Sequence, residues 1–436
     1  MPSDSPLPGA VGTPVTSGGN NSRDTAQNAL ARPESVAERG GQLSSDLERF
    51  DLEELGRRRS GKWQRDDPSA IAAGVAEMDF PLAPAVQAVL ADLVARSDLG
   101  YPRPADRQAV REAFVRRWDE RHGLSLDLAN VALATDVVQA IHLCLATCTP
   151  PGTGVAMLTP AYPPFFSAIE GTGRRVVGCD LVATERGYAL DIESLRDRCA
   201  NEGVGALLVC NPHNPTGRVL DRTELELLAE LACRFDLLVI SDEIHADLIL
   251  EGRHLPIAAL DPEIAGRTVT IGSASKAFNL AGLRCAVMAF GEQRQFAAFD
   301  SIPEAQRGGI GLPGLLATVA AFEEGDGWLA EVLAYLRANR DRLGETLRRD
   351  LPEVVWYPGQ GTYLAWLDLR AYELGDDPAA RLLASRIVLA AGPSFGAAGR
   401  GRARLNFATP RPILDELIRR LASGCGGSSN ATTRLG

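Results

Sequence analysis

Five short apolar runs punctuate the middle of the chain: VALAT (Val131–Thr135), GVAMLT (Gly154–Thr159), GALLVC (Gly205–Cys210), LLVISD (Leu237–Asp242) and TVTIGS (Thr268–Ser273). Each is strand-length and ends in polar, Gly or Pro residues, the pattern of strands buried on both faces. Between them lie amphipathic stretches such as DIESLRDRCANE (Asp191–Glu202) and RTELELLAELACRF (Arg222–Phe235). Strand–helix–strand alternation predicts an α/β fold, a mainly parallel sheet with helices on both faces. On such sheets ligands gather at the carboxyl ends of the strands. Further on, GTYLAWLDLR (Gly361–Arg370) and RARLNFA (Arg402–Ala408) read as strands of a second, smaller α+β unit.

Composition narrows the class. Acidic residues outnumber basic ones, 56 to 45, for a net charge of −11. Such a surface repels phosphate backbones, so no nucleic-acid partner is expected. No stretch approaches the roughly 20 apolar residues of a membrane helix, and the start lacks the basic-then-apolar pattern of a secretory signal. The eight cysteines are scattered without a CxxC pair, so a metal site is not expected, and a cytoplasmic location fits. Residues 1–45 are rich in Gly, Pro and Ser and precede the first aromatic, Phe50; they are expected to be a disordered extension. The stretch 423–436 reads as a disordered tail on the same grounds.

The chemistry collects at strand ends. Lys276 follows a buried run and is set among Ser273, Ala274 and Ser275, small residues that leave room for a bulky ligand. A lone lysine is ordinarily a solvated surface group; one placed here can form a Schiff base with an aldehyde cofactor. Ser273 and Arg284 are within sequence reach of a phosphate, Arg284 as a charge-assisted donor. Asp242 ends another buried run. A carboxylate there is costly unless paired; a protonated pyridine nitrogen is a suitable partner, and a helix cap is the plainer reading. In CNPHNPTGR (Cys210–Arg218), two X-Pro steps and a glycine fix a non-helical loop on which Asn214 presents its amide. Asp242 follows 28 residues after Asn214, and Lys276 follows 34 after that.

Asn214, Asp242 and Lys276, together with EMDFPLAP (Glu77–Pro84), GYPRP (Gly100–Pro104), TPAYPPFFSAIE (Thr159–Glu170), SDEIHADL (Ser241–Leu248), SKAFNLAGL (Ser275–Leu283) and TYLAWLDLR (Thr362–Arg370), resemble the fold-type-I pyridoxal-phosphate (PLP) enzymes. Within them the strings are most similar to the C–S lyases of the MalY/PatB type, the cystathionine β-lyases. The resemblance runs in order from about Phe50 to Leu421. It implies a mainly parallel seven-stranded sheet. Its parts would be an arm over 46–90 contributing to the small domain, a large PLP-binding domain over 91–320 and a small domain over 321–422. It also implies a homodimer with shared active sites.

The resemblance further implies residue roles. Lys276 carries the cofactor and moves the substrate Cα proton. Asp242 pairs with the pyridinium nitrogen, Asn214 with the phenolic oxygen, with His245 nearby, and Tyr162 stacks on the ring. Tyr101 resembles the catalytic tyrosine that a neighbouring subunit lends to the phosphate. Ser273, Arg284 and the backbone amides of Val137 and Val138 hold that phosphate at a helix N-terminus. Arg404 clamps the substrate α-carboxylate, with Tyr363 and Asp79 also on the substrate side. The implied reaction is β-elimination on an S-substituted L-cysteine, giving a thiol, pyruvate and ammonia. Two departures stand out: the lead into Met78–Phe80 is Gly74–Glu77 without the family's tryptophan, and Asp136 replaces a common glycine. A carboxylate at 136 opposes a phosphate unless it pairs with a cation.

An aminotransferase shares the first half of this chemistry. Another PLP reaction on a sulfur-containing metabolite, or a regulatory role through a partner, also stays open. His122, His142 and His254 show no partner in the sequence.

Overall fold

The computed structural model describes residues 46–185 and 187–426. The proposed extension over 1–45 lies outside them, as does 427–436. The expected tail begins too early, however. The last helix runs from Arg411 to Gly424 because Ile413, Leu414, Leu417, Ile418 and Leu421 place a continuous apolar stripe on the core.

Seven strands form the central sheet: β1 (Val131–Ala134), β2 (Gly154–Thr159), β3 (Arg175–Asp180), β4 (Val204–Cys210), β5 (Leu238–Asp242), β6 (Thr268–Gly272) and β7 (Ala286–Phe290). Their order is β1-β7-β6-β5-β4-β2-β3. All run parallel except β7, which is antiparallel to both β1 and β6. Burial follows the two-residue period of a strand. In β2, Val155 and Met157 face a core shared with helix α1 (Val137–Cys148), whereas Ala156 and Leu158 face the opposite core, shared with helix α2 (Arg222–Arg234). Each helix starts on a side-chain cap: Asp136 accepts from the Gln139 N–H, and Asp221 forms a reciprocal capping box with Glu224.

The smaller sheet has the order β8 (Leu364–Asp368), β10 (Arg402–Asn406), β9 (Ala390–Ala391), all antiparallel. Upstream, Ile71–Ala72 pairs in parallel with Ile387–Val388, so the segment before the large sheet is stitched to this smaller unit. That pairing brings Gly74–Asp79 across the carboxyl ends of the large sheet.

Candidate active site

Strands β1, β4, β5 and β6 point the same way, so their carboxyl ends open on one cavity. Asp242 is the last residue of β5 and Cys210, its register partner, the last of β4. Lys276 sits in the single helical turn Ala274–Ala277 after β6, and Val137 and Val138 open α1 after β1. The cavity is lined by these residues and by Tyr162, Asn214, His245, Ser273 and Arg284.

Lys276 is held by geometry, not by a counter-ion. Its Nζ donates to the Ala76 carbonyl at 2.9 Å. Burial, reinforced by the positive charge of Arg404, draws its amine down to about 8. Asp242 is also buried, and burial pushes its carboxyl up to about 7. Its oxygens meet the Ile244 N–H at 3.0 Å and the Cys210 thiol, and no cation bridges it among the described residues. A buried carboxylate at a cavity wall, with no cation at ion-pair distance and only the more remote charge of Lys276 acting on it, fits a protonated ring nitrogen, and a buried amine opposite it fits an aldehyde. His245 is buried with Nδ1 unpartnered, and burial lowers its imidazole to about 3, so it is neutral.

Arg404 reaches the site from β10 of the small sheet. It donates to Asn214 Oδ1 at 2.9 Å and to the Gly74 carbonyl at 2.7 Å, while its buried Nε has no partner. Tyr363 donates its hydroxyl to the Ala76 carbonyl at 2.9 Å. Tyr162 precedes helix Pro163–Glu170, and its ring packs edge-on to Phe165. Behind Asn214, Gly217 (φ +71°) lies against Gly359. A Cβ at Gly359 would stand 2.7 Å from the Gly217 backbone, and Gly361 N–H donates to the Gly217 carbonyl at 2.8 Å.

Several expected residues stand differently. Ser273 spends its hydroxyl inside the protein. It donates to the Cys285 carbonyl at 2.6 Å and accepts the Ser275 N–H at 3.0 Å, capping the turn that carries Lys276. Arg284 is not free: its guanidinium pairs with Asp136 at 2.5 Å, which supplies the cation that carboxylate requires. Tyr101 is fully exposed and away from this cavity in the same chain. Asp79 does not line the cavity. It is buried, and its two oxygens take Lys62 Nζ at 2.6 Å and Trp63 Nε1 at 2.8 Å, an internal ion pair turned away from the cavity. Two of the histidines without a sequence signal do have partners: His254 with Glu243 at 3.2 Å and His122 with Asp247 at 3.4 Å. Thr135, Phe165, Cys210 and Ile244 line the cavity without a role assigned from the sequence. Thr135, Cys210 and Ile244 sit at or just past strand ends, the one signal for them; Phe165 lies in the helix Pro163–Glu170 and has none.

A parallel sheet with a buried lysine and an unpaired buried aspartate at neighbouring strand ends defines a PLP-dependent enzyme of fold type I. The profile of the family "Aminotransferase class I and II" matches residues 71–421, and the chain belongs to that family. It is 34% identical to a cystathionine beta-lyase of Corynebacterium glutamicum over 374 residues, covering 86% of this chain and 98% of the relative. It is 32% identical to cystathionine beta-lyase PatB of Bacillus subtilis over 356 residues, covering 81% and 92%. The PLP-bound C-S lyase of Staphylococcus hominis superposes with a TM-score of 0.80 at 26% identity, covering 86% of this chain and 98% of that one. The cofactor of this chain is pyridoxal 5′-phosphate.

Proposed function

We propose that the protein is a PLP-dependent carbon–sulfur lyase. It eliminates the β-thiol of an S-substituted, cystathionine-like L-cysteine and leaves pyruvate and ammonia. The observation that carries this reading is the likeness, over almost their whole length, to relatives named cystathionine beta-lyase.

The residues divide the work. Val137 and Val138 offer first-turn N–H groups, which have no helical acceptor, to the phosphate end. Tyr162 covers the ring face, and Asn214 meets the phenolic oxygen. Asp242 holds the proton on the ring nitrogen. When bound, the cofactor supplies an electron sink for the charge left at Cα. Arg404, held beside the cavity by Asn214 and the Gly74 carbonyl, takes the substrate carboxylate and fixes the orientation of the Cα–H bond. Lys276, lowered to about 8, has a sizeable neutral fraction in mildly alkaline solution and accepts the Cα proton at Nζ. Tyr101 acts across a homodimer interface, which accounts for its full exposure in one subunit. All eight cysteines are free, in keeping with the reducing cytoplasm.

Transamination is the second reading, favoured by the family to which the chain belongs. Incubating the holoenzyme with cystathionine and S-alkyl cysteines separates the two. Elimination yields pyruvate and free thiol in equal amounts over many turnovers. Conversion of the cofactor to its amine form with release of a keto acid that keeps its sulfur would overturn the lyase.

A further inference from the structure

The phosphate end of the cavity holds a carboxylate as well as an arginine. Asp136 occupies the N-cap of α1, the helix whose free amides face the phosphate, and it uses both oxygens: Oδ1 accepts from the Gln139 N–H at 2.9 Å, and Oδ2 pairs with Arg284 at 2.5 Å. Arg284 stands at φ +54° after the short turn Ala281–Leu283. Both residues line the cavity, and with His245 neutral, Arg284 is the one cationic side chain among the described lining residues besides Lys276. Asp136 and Arg284 therefore cancel, and only backbone and neutral side-chain donors are left facing a phosphate that carries between one and two negative charges.

We propose that Asp136 competes with the cofactor phosphate for Arg284 and thereby sets how readily PLP leaves. The pair is a positioning device: it keeps the guanidinium at the phosphate site while that site is vacant, and it opposes the phosphate once it arrives. Asp136 is the more sheltered member of the pair, so its charge is felt at the phosphate site even though the exposed guanidinium is partly screened by water. The inference rests on PLP as the cofactor and is independent of whether elimination or transamination follows.

Asp136→Asn is the direct test, since asparagine still caps the Gln139 N–H but carries no charge. Asp136→Ser, also a capping residue, is the second variant. Affinity is read by absorbance on resolved protein titrated with PLP and, separately, with pyridoxal, which lacks the phosphate. Both variants are expected to bind PLP several-fold more tightly than the unsubstituted protein, with pyridoxal affinity unchanged, as removal of one partly screened repulsive charge implies. Release of PLP from holoenzyme into an excess of a cofactor-free scavenger enzyme slows by the same factor. Unchanged or weaker PLP binding in both variants would overturn the proposal, and so would an equal gain for pyridoxal. Failure of the unsubstituted protein to take up PLP would overturn both this inference and the cofactor assignment.

Discussion

Lys276 and Tyr363 meet on a single acceptor: each places its donor 2.9 Å from the carbonyl of Ala76. The amine belongs to the large sheet and the phenol to the small one, so this carbonyl is a shared anchor. Lys276→Ala is expected to abolish thiol and pyruvate release by at least about a thousandfold with the fold retained. Measurable turnover in that variant would remove the lysine from the chemistry. Tyr363→Phe leaves the anchor with one donor and is expected to cost about 0.5–1.5 kcal/mol of stability, with a several-fold loss in kcat. Denaturant unfolding and steady-state rates check the two effects separately.

Asp242 predicts a pH effect in the cofactor-free protein. Its folded value, about 7, lies above the ordinary 3.8, so the folded state binds the extra proton between those limits. Stability from this group is therefore lost as pH rises from about 4 to about 7 and stays lost above. Asp242→Asn is expected to raise the thermal midpoint of the cofactor-free protein, by a margin that grows over that window and is flat beyond it. The same change should cripple turnover. A midpoint difference independent of pH would contradict the buried, unpaired carboxylate.

Asp79 gives the opposite combination. Removing one partner of a buried ion pair strands the other, at a cost of about 3–5 kcal/mol. Asp79→Ala should therefore lower the midpoint sharply and leave KM for the amino-acid substrate little altered in the folded fraction. A raised KM with unchanged stability would return Asp79 to the substrate side.

The exposed Tyr101 is tested by complementation. Lys276→Ala and Tyr101→Ala chains are each expected to be inactive or nearly so. In a shared-site dimer, mixing them by unfolding and refolding places one intact site in every hybrid, giving up to roughly a quarter of wild-type activity at random pairing. A mixture as inactive as its components would argue against a tyrosine contributed by the neighbour.

Much of the fold is legible in the sequence. LLVISD and GVAMLT betray their strands because both faces are buried, so no polar alternation interrupts them. Lys276, Asp242 and Asn214 stand out in the sequence because each follows a buried apolar run, and ligands on such sheets gather at strand ends. The surroundings of Asp79 are not legible, because a matching string gives a position and not its neighbours. The donors that close on it, Lys62 and Trp63, come from an unremarkable GKW turn. The Ala76 carbonyl left no trace, since a backbone acceptor has no residue signature. The partners of His122 and His254 arise from contacts between distant segments, which no local pattern encodes.

The close approach of Gly217 and Gly359 has a consequence for variation among sequences. Neither lines the cavity, yet any side chain at 359 would wedge the Asn214 loop away from the segment leading to Tyr363. A saturation library selected for activity should be as intolerant at these two positions as at Lys276. That intolerance would come from loss of alignment and not from loss of a reacting group.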